Sequence, residues 1–223
     1  MEFSEQEHKY TDNGKAYTPV NEWLSQFKTP FAKGAVAQRV AKKKGITAEE
    51  VIGEWELNAQ IAINYGNAIH KGIEYWIKTG QTSGLDHIIK ATNAFADKYD
   101  RSKLYSELIV KNDDLLLAGT MDVLVKLGNR EVEIVDIKTN AELDKKAYNK
   151  FKEPLQDLPQ TKINEYRLQL STYKHLCELE GITVKALKLE HWDGHKFETL
   201  ELKPIDITKL INYKPRKTIK LEI

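Results

Sequence analysis

Residues 117–140, LAGTMDVLVKLGNREVEIVDIKTN, contain the pattern that decides the fold of this chain. Apolar and β-branched residues run through both halves, and Gly128-Asn129 between them is a turn-forming pair, so the stretch predicts two strands joined by a tight turn. Each strand ends its apolar alternation with a carboxylate: Asp122 in the first, and Asp136 in the second, followed by Lys138. Two acids and one lysine are therefore expected on adjacent strands.

In the segments on either side, apolar residues recur with two spacings, one typical of helices and one typical of strands. A hairpin about Asp12-Asn13-Gly14 comes first, and the longest helical pattern starts at a capping box of Thr47 and Glu50 and runs to Gly80. Residues 141–161 are polar and lysine-rich and predict a partly helical excursion. The predicted helices are 20–31, 33–44, 47–80, 85–99 and 163–180, with a short one near 207, and the predicted strands are 104–110, 115–127, 132–138, 184–192 and 195–203.

The composition fits one soluble domain. The chain has 223 residues, of which 41% are apolar and 30% charged, enough for a single well-buried core. No run of about 18 apolar residues occurs that could span a membrane, and the acidic, polar N-terminus is unlike a secretory signal. We therefore expect one cytoplasmic domain over residues 1–223, with no membrane association.

The cysteine and charge content narrow the classes of ligand. Cys177 is the only cysteine, which excludes an intrachain disulfide and an iron–sulfur cluster with four cysteine ligands. The formal net charge of +1 neither indicates nor excludes nucleic acid, because binding depends on local basic patches. Such patches, each typical of a solvated face when taken singly, are Lys42 to Lys44, Lys145 with Lys150 and Lys152, and Lys214, Arg216, Lys217 and Lys220.

Further polar residues stand out on other elements. His70 and Glu74 are four apart on the long predicted helix and share one face, which is the arrangement that metal-ligand or general-base partners on a helix need. Gly66 precedes them by one turn. The others are Glu107, in an otherwise apolar strand, and the pair Gln169 and Tyr173, on one face of the helix after the sheet.

These residue types suit the hydrolysis of a phosphodiester. A hard divalent cation prefers carboxylate and carbonyl oxygens and keeps some of its waters, so two aspartates on paired strands can hold it without enclosing it. Such a cation polarises a phosphate and lowers the pKa of a bound water. Lys138, two residues after Asp136, points to the same side of the strand and places its ammonium beside that water or phosphate.

Four motifs, in this order, resemble the RecB-like branch of the PD-(D/E)XK nuclease superfamily. They are G-x-x-x-H-x-x-x-E (Gly66 to Glu74), G-x-x-D (Gly119 to Asp122), D-x-K-T (Asp136 to Thr139) and Q-x-x-x-Y (Gln169 to Tyr173). The form of the chain, including LPQTKINEYRLQLSTY at residues 158–173, is similar to small phage-encoded exonucleases and the mitochondrial genome maintenance exonuclease. The resemblance implies an α/β (α+β) fold with a restriction-endonuclease-like core at residues 66–203, where helices flank a central mixed β-sheet. An N-terminal arm with helices, residues 1–65, would precede that core, and a basic tail, residues 204–223, would follow it.

The resemblance also implies roles for individual residues. It suggests a Mg²⁺- or Mn²⁺-dependent deoxyribonuclease whose metal ligands are His70, Asp122, Asp136 and the backbone carbonyl of Ile137. Lys138 would be the catalytic lysine, acting with Asp122 and Asp136 to position or activate the attacking water. Residues that would support the site or contact DNA are Glu74, Glu107, Thr139, Gln169 and Tyr173. Relatives with an iron–sulfur cluster are excluded by the single cysteine.

Each of these residues also has a structural explanation. His70 could be a hydrogen-bonded structural histidine, Glu74 a solvated side chain, Asp136 and Lys138 a surface ion pair, and Gln169 and Tyr173 plain helix packing. For Glu107, a role at the metal or behind its ligands and a buried ion pair with a lysine are both open. The aspartates weigh against the structural explanation, because a carboxylate among apolar strand residues is unfavourable unless a metal or partner neutralises it.

We therefore expect a nuclease that acts on DNA, as an exonuclease on single-stranded ends in replication, recombination or repair. Three alternatives are open: a nuclease-fold module that binds DNA without cutting it, an endonuclease with the same catalytic residues, and an RNA-directed nuclease. Whether loops close the channel decides between exonuclease and endonuclease, and residues 1–35 and 141–161 are the candidate gates. No pattern bears on the oligomeric state.

Overall fold

The computed structural model describes residues 2–4, 9–139, 143, 146–147 and 149–213. The chain begins with strands β1 (Glu2–Ser4), β2 (Lys9–Asp12) and β3 (Lys15–Pro19). Helices α1 (Val20–Ser25), α2 (Lys33–Lys44), α3 (Ala48–Thr79) and α4 (Asp86–Ala96) follow. A meander of β4 (Leu104–Asn112), β5 (Leu117–Gly128) and β6 (Glu131–Lys138) leads to α5 (Lys162–Leu179), β7 (Thr183–Trp192), β8 (Phe197–Glu201) and α6 (Thr208–Ile211).

Eight strands form one sheet with both parallel and antiparallel pairs. Its order is β1-β2-β3-β5-β6-β7-β8, and β4 pairs with β5 outside this path. β3 runs parallel to β5 and β6 runs parallel to β7, while the other pairs are antiparallel. The parallel pair β6 and β7 is joined through α5, since parallel neighbours need a crossover connection. The predicted fold class, an α/β fold with a central mixed sheet flanked by helices, is confirmed.

Helices cover both faces of the sheet. One core, beneath α1 and α5, includes Met121, Ile134 and Leu170. The other, beneath α3 and α4, includes Phe95 and Val135. Ile134 and Val135 are neighbours on β6 and enter opposite cores, as the alternation of side chains across a strand requires. We call these the α5-side core and the α3-side core.

Helix α3 is much longer than the other helices and is anchored at both ends. The Thr47 hydroxyl accepts a hydrogen bond from the Glu50 backbone N–H, and the Glu50 carboxylate accepts one from the Thr47 N–H at 2.7 Å, so the predicted capping box is confirmed. Gly80 ends the helix in the left-handed conformation. The N-terminal part packs on α2 around Val51, and the C-terminal part enters the α3-side core through residues such as Ile73.

One predicted segment has a different structure. The prediction of a partly helical excursion at residues 141–161 is wrong for the part that the structure describes, because residues 149–161 form turns and a bridge between Lys150 and Pro159. Pro154 and Pro159 lack the backbone N–H that a helix interior needs. The predicted hairpin at the N-terminus, by contrast, is confirmed by the pairing of β2 with β3.

Some predictions fall on residues whose structure is not described. Lys145, with part of the 141–161 gate, and the basic residues after 213 lie outside the described ranges, as do residues 1 and 5–8 of the N-terminal arm. Their basic patch and gate roles stay predictions. Within the described ranges, no helix is long and apolar enough to cross a lipid bilayer.

Candidate active site

Asp122 and Asp136 lie where two strands of the sheet separate. β5 pairs with β6 from Gly128 as far as Val123, where the described pairing ends. The beginning of β5 instead runs beside β3. If the register between β5 and β6 continued, Asp122 would face Asp136 next. We call this point, where the pairing of β5 with β6 ends beside the two aspartates, the fork.

β5 also changes the face that it presents at the fork. Met121 packs in the α5-side core, whereas Val123 packs in the α3-side core, although side chains two residues apart share a face in a regular strand. Glu107, opposite Asp122 on β4, has a φ of 53°, in the left-handed region that residues with a side chain rarely adopt. This irregular backbone places Asp122 between the two cores, beside β6.

One oxygen of Asp122 is held by both β6 and α3. The Ile137 backbone N–H donates to Asp122 Oδ2 at 2.8 Å, so the carboxylate supplies an acceptor just past the point where the β5–β6 pairing ends. His70 Nδ1, on α3, lies 3.5 Å from the same oxygen. The structure thus brings together His70, Asp122 and Ile137, which the sequence predicted to share a site.

Asp136 and Lys138 form a buried ion pair at the end of β6. Lys138 Nζ lies 2.6 Å from Asp136 Oδ2, and the side chains are 18% and 4% exposed, so the alternative of a surface ion pair is wrong. At this distance the Lys138 ammonium is a charge-assisted partner of the Asp136 carboxylate and favours its ionised form. Among the described residues, no other group donates to Asp136 Oδ2.

Burial is the main influence on the pKa of Asp136. Loss of hydration raises this pKa to about 6; the positive charge of Lys138 acts to lower it, and the negative charge of Asp122 acts to raise it. Burial acts to lower the pKa of Lys138, but Asp136 and Asp122 outweigh burial and raise it above its ordinary value. At pH 7, therefore, Lys138 is a cation and Asp136 is largely ionised.

A cleft of about 260 Å³ opens beside Lys138. The ring of Tyr166 lines it, with the ring centroid 4.8 Å from Lys138 Nζ, a cation–π distance. Lys28 places a second ammonium in the cleft, 3.1 Å from Glu165 Oε2. The sequence patterns did not single out Lys28 or Tyr166. Tyr166 could have been found, because it lies one turn before Gln169 on the same helix.

Two motif glycines let the helices approach the strands that carry the acids. A Cβ at Gly66 would lie 2.9 Å from Thr139 Oγ1, so α3 contacts the end of β6 there. A Cβ at Gly119 would lie 2.4 Å from a ring carbon of Tyr173, so the Tyr173 ring packs directly on the backbone of β5. Gln169 Nε2 donates to the Tyr173 hydroxyl at 3.0 Å. Thr139, Gln169 and Tyr173 thus hold α3 and α5 against the sheet beside the fork.

The described contacts of two predicted site residues point elsewhere. Glu74 forms an ion pair with Lys78, one turn further along α3. Glu107 is exposed, so the alternative of a buried ion pair for it is wrong. Its left-handed backbone interrupts the strand alternation that would have carried the side chain into a core. Because Glu107 lies opposite Asp122, its backbone conformation shapes the strand beside the fork.

The donor set at the fork fits a hard divalent cation. Mg²⁺ is commonly held by one or two carboxylates, with waters and substrate phosphate in the other positions. Asp122 and Asp136 supply two carboxylates, and besides Lys138 no described group donates to Asp136 Oδ2. Across the described part of the chain, no group of three or more His, Cys, Asp or Glu side chains is close enough to surround a metal. The histidine and the two aspartates are therefore not preassembled as a closed ligand set.

Comparisons with known proteins identify no family. No protein family matches the chain by sequence, and no curated protein does either. A solved structure described as "Crystal structure of SSO0001" is 14% identical, covers 87% of this chain and 71% of its own, and superposes with a TM-score of 0.39. A similarity at this level carries no argument about function.

Proposed function

We propose that this protein is a metal-dependent DNA nuclease of the RecB-like branch of the PD-(D/E)XK superfamily. The observation that supports the proposal most strongly is the convergence of Asp122, Asp136 and Lys138 at the fork. Two carboxylates and an ammonium, placed beside an open cleft, are the groups that phosphodiester hydrolysis needs.

Asp122 and Asp136 would hold Mg²⁺ or Mn²⁺, with the Ile137 carbonyl as a further oxygen donor. When bound, the cation supplies Lewis-acid polarisation of a phosphate oxygen. His70 keeps Asp122 in position through its contact with Oδ2, and the Ile137 N–H does so from the other strand. The chain thus orients the first carboxylate before substrate arrives.

Lys138 would act on the phosphate or on the attacking water. Asp136 on one side and the ring of Tyr166 on the other hold its ammonium at the cleft. An ammonium has three donors and no acceptor, so with one face turned to Asp136 it can still donate to a phosphate oxygen or a water. Lys28, in the same cleft, offers a second positive charge for the neighbouring phosphate. We infer that the substrate is DNA, cut from single-stranded ends.

Cleavage assays with point variants test this proposal. Labelled single-stranded DNA should be cut in Mg²⁺ or Mn²⁺ and left intact in EDTA, and labelled double-stranded DNA, assayed in parallel, tests the strand preference. Asp136→Asn and Lys138→Ala should each abolish cleavage. The matched control is Glu133→Gln, which removes a carboxylate from the same strand that is paired with Lys188 at 2.7 Å, away from the fork. Cleavage by Asp136→Asn at the rate of the control would refute the mechanism.

Two further substrates separate the alternatives. A circular single strand resists an exonuclease and is cut by an endonuclease, and an RNA strand of the same sequence tests the choice of sugar. A protein that binds DNA and metal but cuts none of these substrates is a binding module on a nuclease fold. Metal binding is measured independently as a rise in melting temperature, because a ligand of the folded state stabilises it.

A further inference from the structure

An apolar stripe on α3 runs without interruption in the sequence but is uncovered in the middle. Side chains at spacings of three and four lie on one helix face: Val51, Trp55, Ala59, Ala62, Gly66 and, further on, Ile69, Ile73 and Ile77. The first of these packs on α2, and the last three lie in the α3-side core. All nine residues from 56 to 64 are exposed.

This exposure is unusual for a helix with that sequence. A surface helix normally buries its apolar face and exposes the opposite one. Here Ile63, which flanks the stripe one turn after Ala59, is 54% exposed, and Leu57 on the opposite face is 62% exposed. More than two turns of α3 are therefore exposed on both faces, and at their beginning Glu56 is tied to Lys33 of α2 by an ion pair at 2.6 Å.

The uncovered face leads directly to the candidate active site. At 1.5 Å per residue, Ile63 lies about 10 Å along the helix from His70, and Trp55 about 22 Å. The two ends of the open face are fixed. Gly66 contacts Thr139 at the end of β6, and Trp55 contacts Phe31, with their ring centroids 6.1 Å apart. A track of apolar and aromatic side chains thus extends from the fork to Phe31.

The cleft at the active-site end adds two ammonium groups, each paired with a carboxylate. Lys28, three residues before Phe31, lies in the cleft with Lys138. The loop between α1 and α2 carries Lys28 and Phe31. Thr29 ties this loop to the segment before α5, because its hydroxyl donates to the Lys150 carbonyl at 2.7 Å. Ammonium groups in the cleft and the rings of Phe31 and Trp55 suit the two parts of single-stranded nucleic acid, which binds through its charged backbone and its stacked bases.

We propose that the exposed face of α3 and the Phe31–Trp55 ring pair form a base-binding track for the single strand that enters the site. The inference rests on the proposed nuclease function and names its substrate as an unpaired strand. With about 3.4 Å per stacked nucleotide, the third base from the site reaches Ile63 and roughly the sixth reaches the rings. Phe31 is 62% exposed, so its ring is free to stack on a base.

Binding of fluorescently labelled oligothymidylate tests the track. In EDTA, where no strand is cut, the anisotropy titration uses a 20-mer and a 4-mer with Phe31→Ala and Ile63→Ser. Phe31→Ala should weaken binding of the 20-mer by about tenfold, the effect of losing a stacked base, and should leave the 4-mer unaffected. Ile63→Ser, which removes an apolar contact and no ring, should weaken binding of the 20-mer by about fivefold. Leu57→Ser is the matched control, equally exposed on the opposite face of the same helix, and should change neither affinity more than about twofold.

The other possible occupants of the face give different results. Equal effects of Ile63→Ser and Leu57→Ser, with metal-dependent cleavage intact, would overturn the track and leave the proposed function standing. A second copy of the chain is indicated if Ile63→Ser converts a dimer to a monomer in light scattering. Coverage by another part of the same chain is indicated if Ile63→Ser lowers the melting temperature of the ligand-free protein more than Leu57→Ser does. A wild-type protein that neither binds nor cuts either oligonucleotide would overturn both proposals.

Discussion

Replacing Gly119 by alanine is the most direct perturbation of the packing beside the fork. The added Cβ would lie 2.4 Å from a Tyr173 ring carbon and 3.0 Å from the phenol oxygen. An ordinary contact begins at 3.4 Å, so the ring must retreat by about 1 Å. Tyr173 is 3% exposed and packed in the α5-side core, which leaves little room for that movement.

The expected loss of stability follows from this overlap. Overpacking a well-filled core costs about 1–3 kcal/mol, and the smaller unfolded-state entropy of alanine offsets about 0.4–1 kcal/mol of it. Gly119→Ala should therefore destabilise the protein by about 0.5–2.5 kcal/mol, which for a chain of this size lowers the melting temperature by about 2–4 °C per kcal/mol. Cleavage should also fall, because the displaced ring supports Gln169 beside the cleft.

Urea denaturation of four variants measures the effect. Gly53→Ala is the matched control: it lies within α3 with nothing within 4 Å of the added Cβ, so it should stabilise the protein by up to about 1 kcal/mol. Combining Gly119→Ala with Tyr173→Leu should recover part of the loss, giving a coupling energy of about 1 kcal/mol or more. If Gly119→Ala is as stable as Gly53→Ala, or if the costs of the two site substitutions simply add, the packing described here is wrong.

Two further predictions concern the ion pair. Tyr166→Leu should slow cleavage by about tenfold, because Lys138 loses a cation–π contact that is worth up to about 2 kcal/mol when desolvated. Tyr166→Phe keeps the ring and should cleave at close to the wild-type rate. Equal rates for the two variants would exclude the contact. Because the pKa of Asp136 is raised from 3.8 to about 6, the folded state binds its proton more tightly than the unfolded state does. Metal-free stability should therefore fall by up to about 3 kcal/mol between pH 4 and pH 6. Urea denaturation in EDTA should show this loss in the wild type and not in Asp136→Asn, and the same slope in both would contradict the assignment.

The sequence by itself was sufficient for most of the secondary structure and for the identity of the candidate site. The long helix, its capping box and the meander were predicted because periodicity and capping depend on residues close together in the chain. The spacing of Asp136 and Lys138 placed them on one side of β6 before any contact was known. The membership of the superfamily stays a proposal, since it rests on the order of four short motifs.

Only the tertiary structure decided how these residues meet. Strand alternation predicts that Met121 and Val123 lie on one face of the sheet, but they enter opposite cores. The change of face at Asp122 arises because β5 leaves β6 to run beside β3. Strand β3 lies about a hundred residues earlier in the chain. The same kind of distant contact brought Lys28 and Tyr166 to Lys138 and left the middle of α3 uncovered. Local pattern records which side chains are apolar or charged. Which of them become neighbours depends on the packing of the whole chain, and at the fork that packing confines two carboxylates and an ammonium to one small volume.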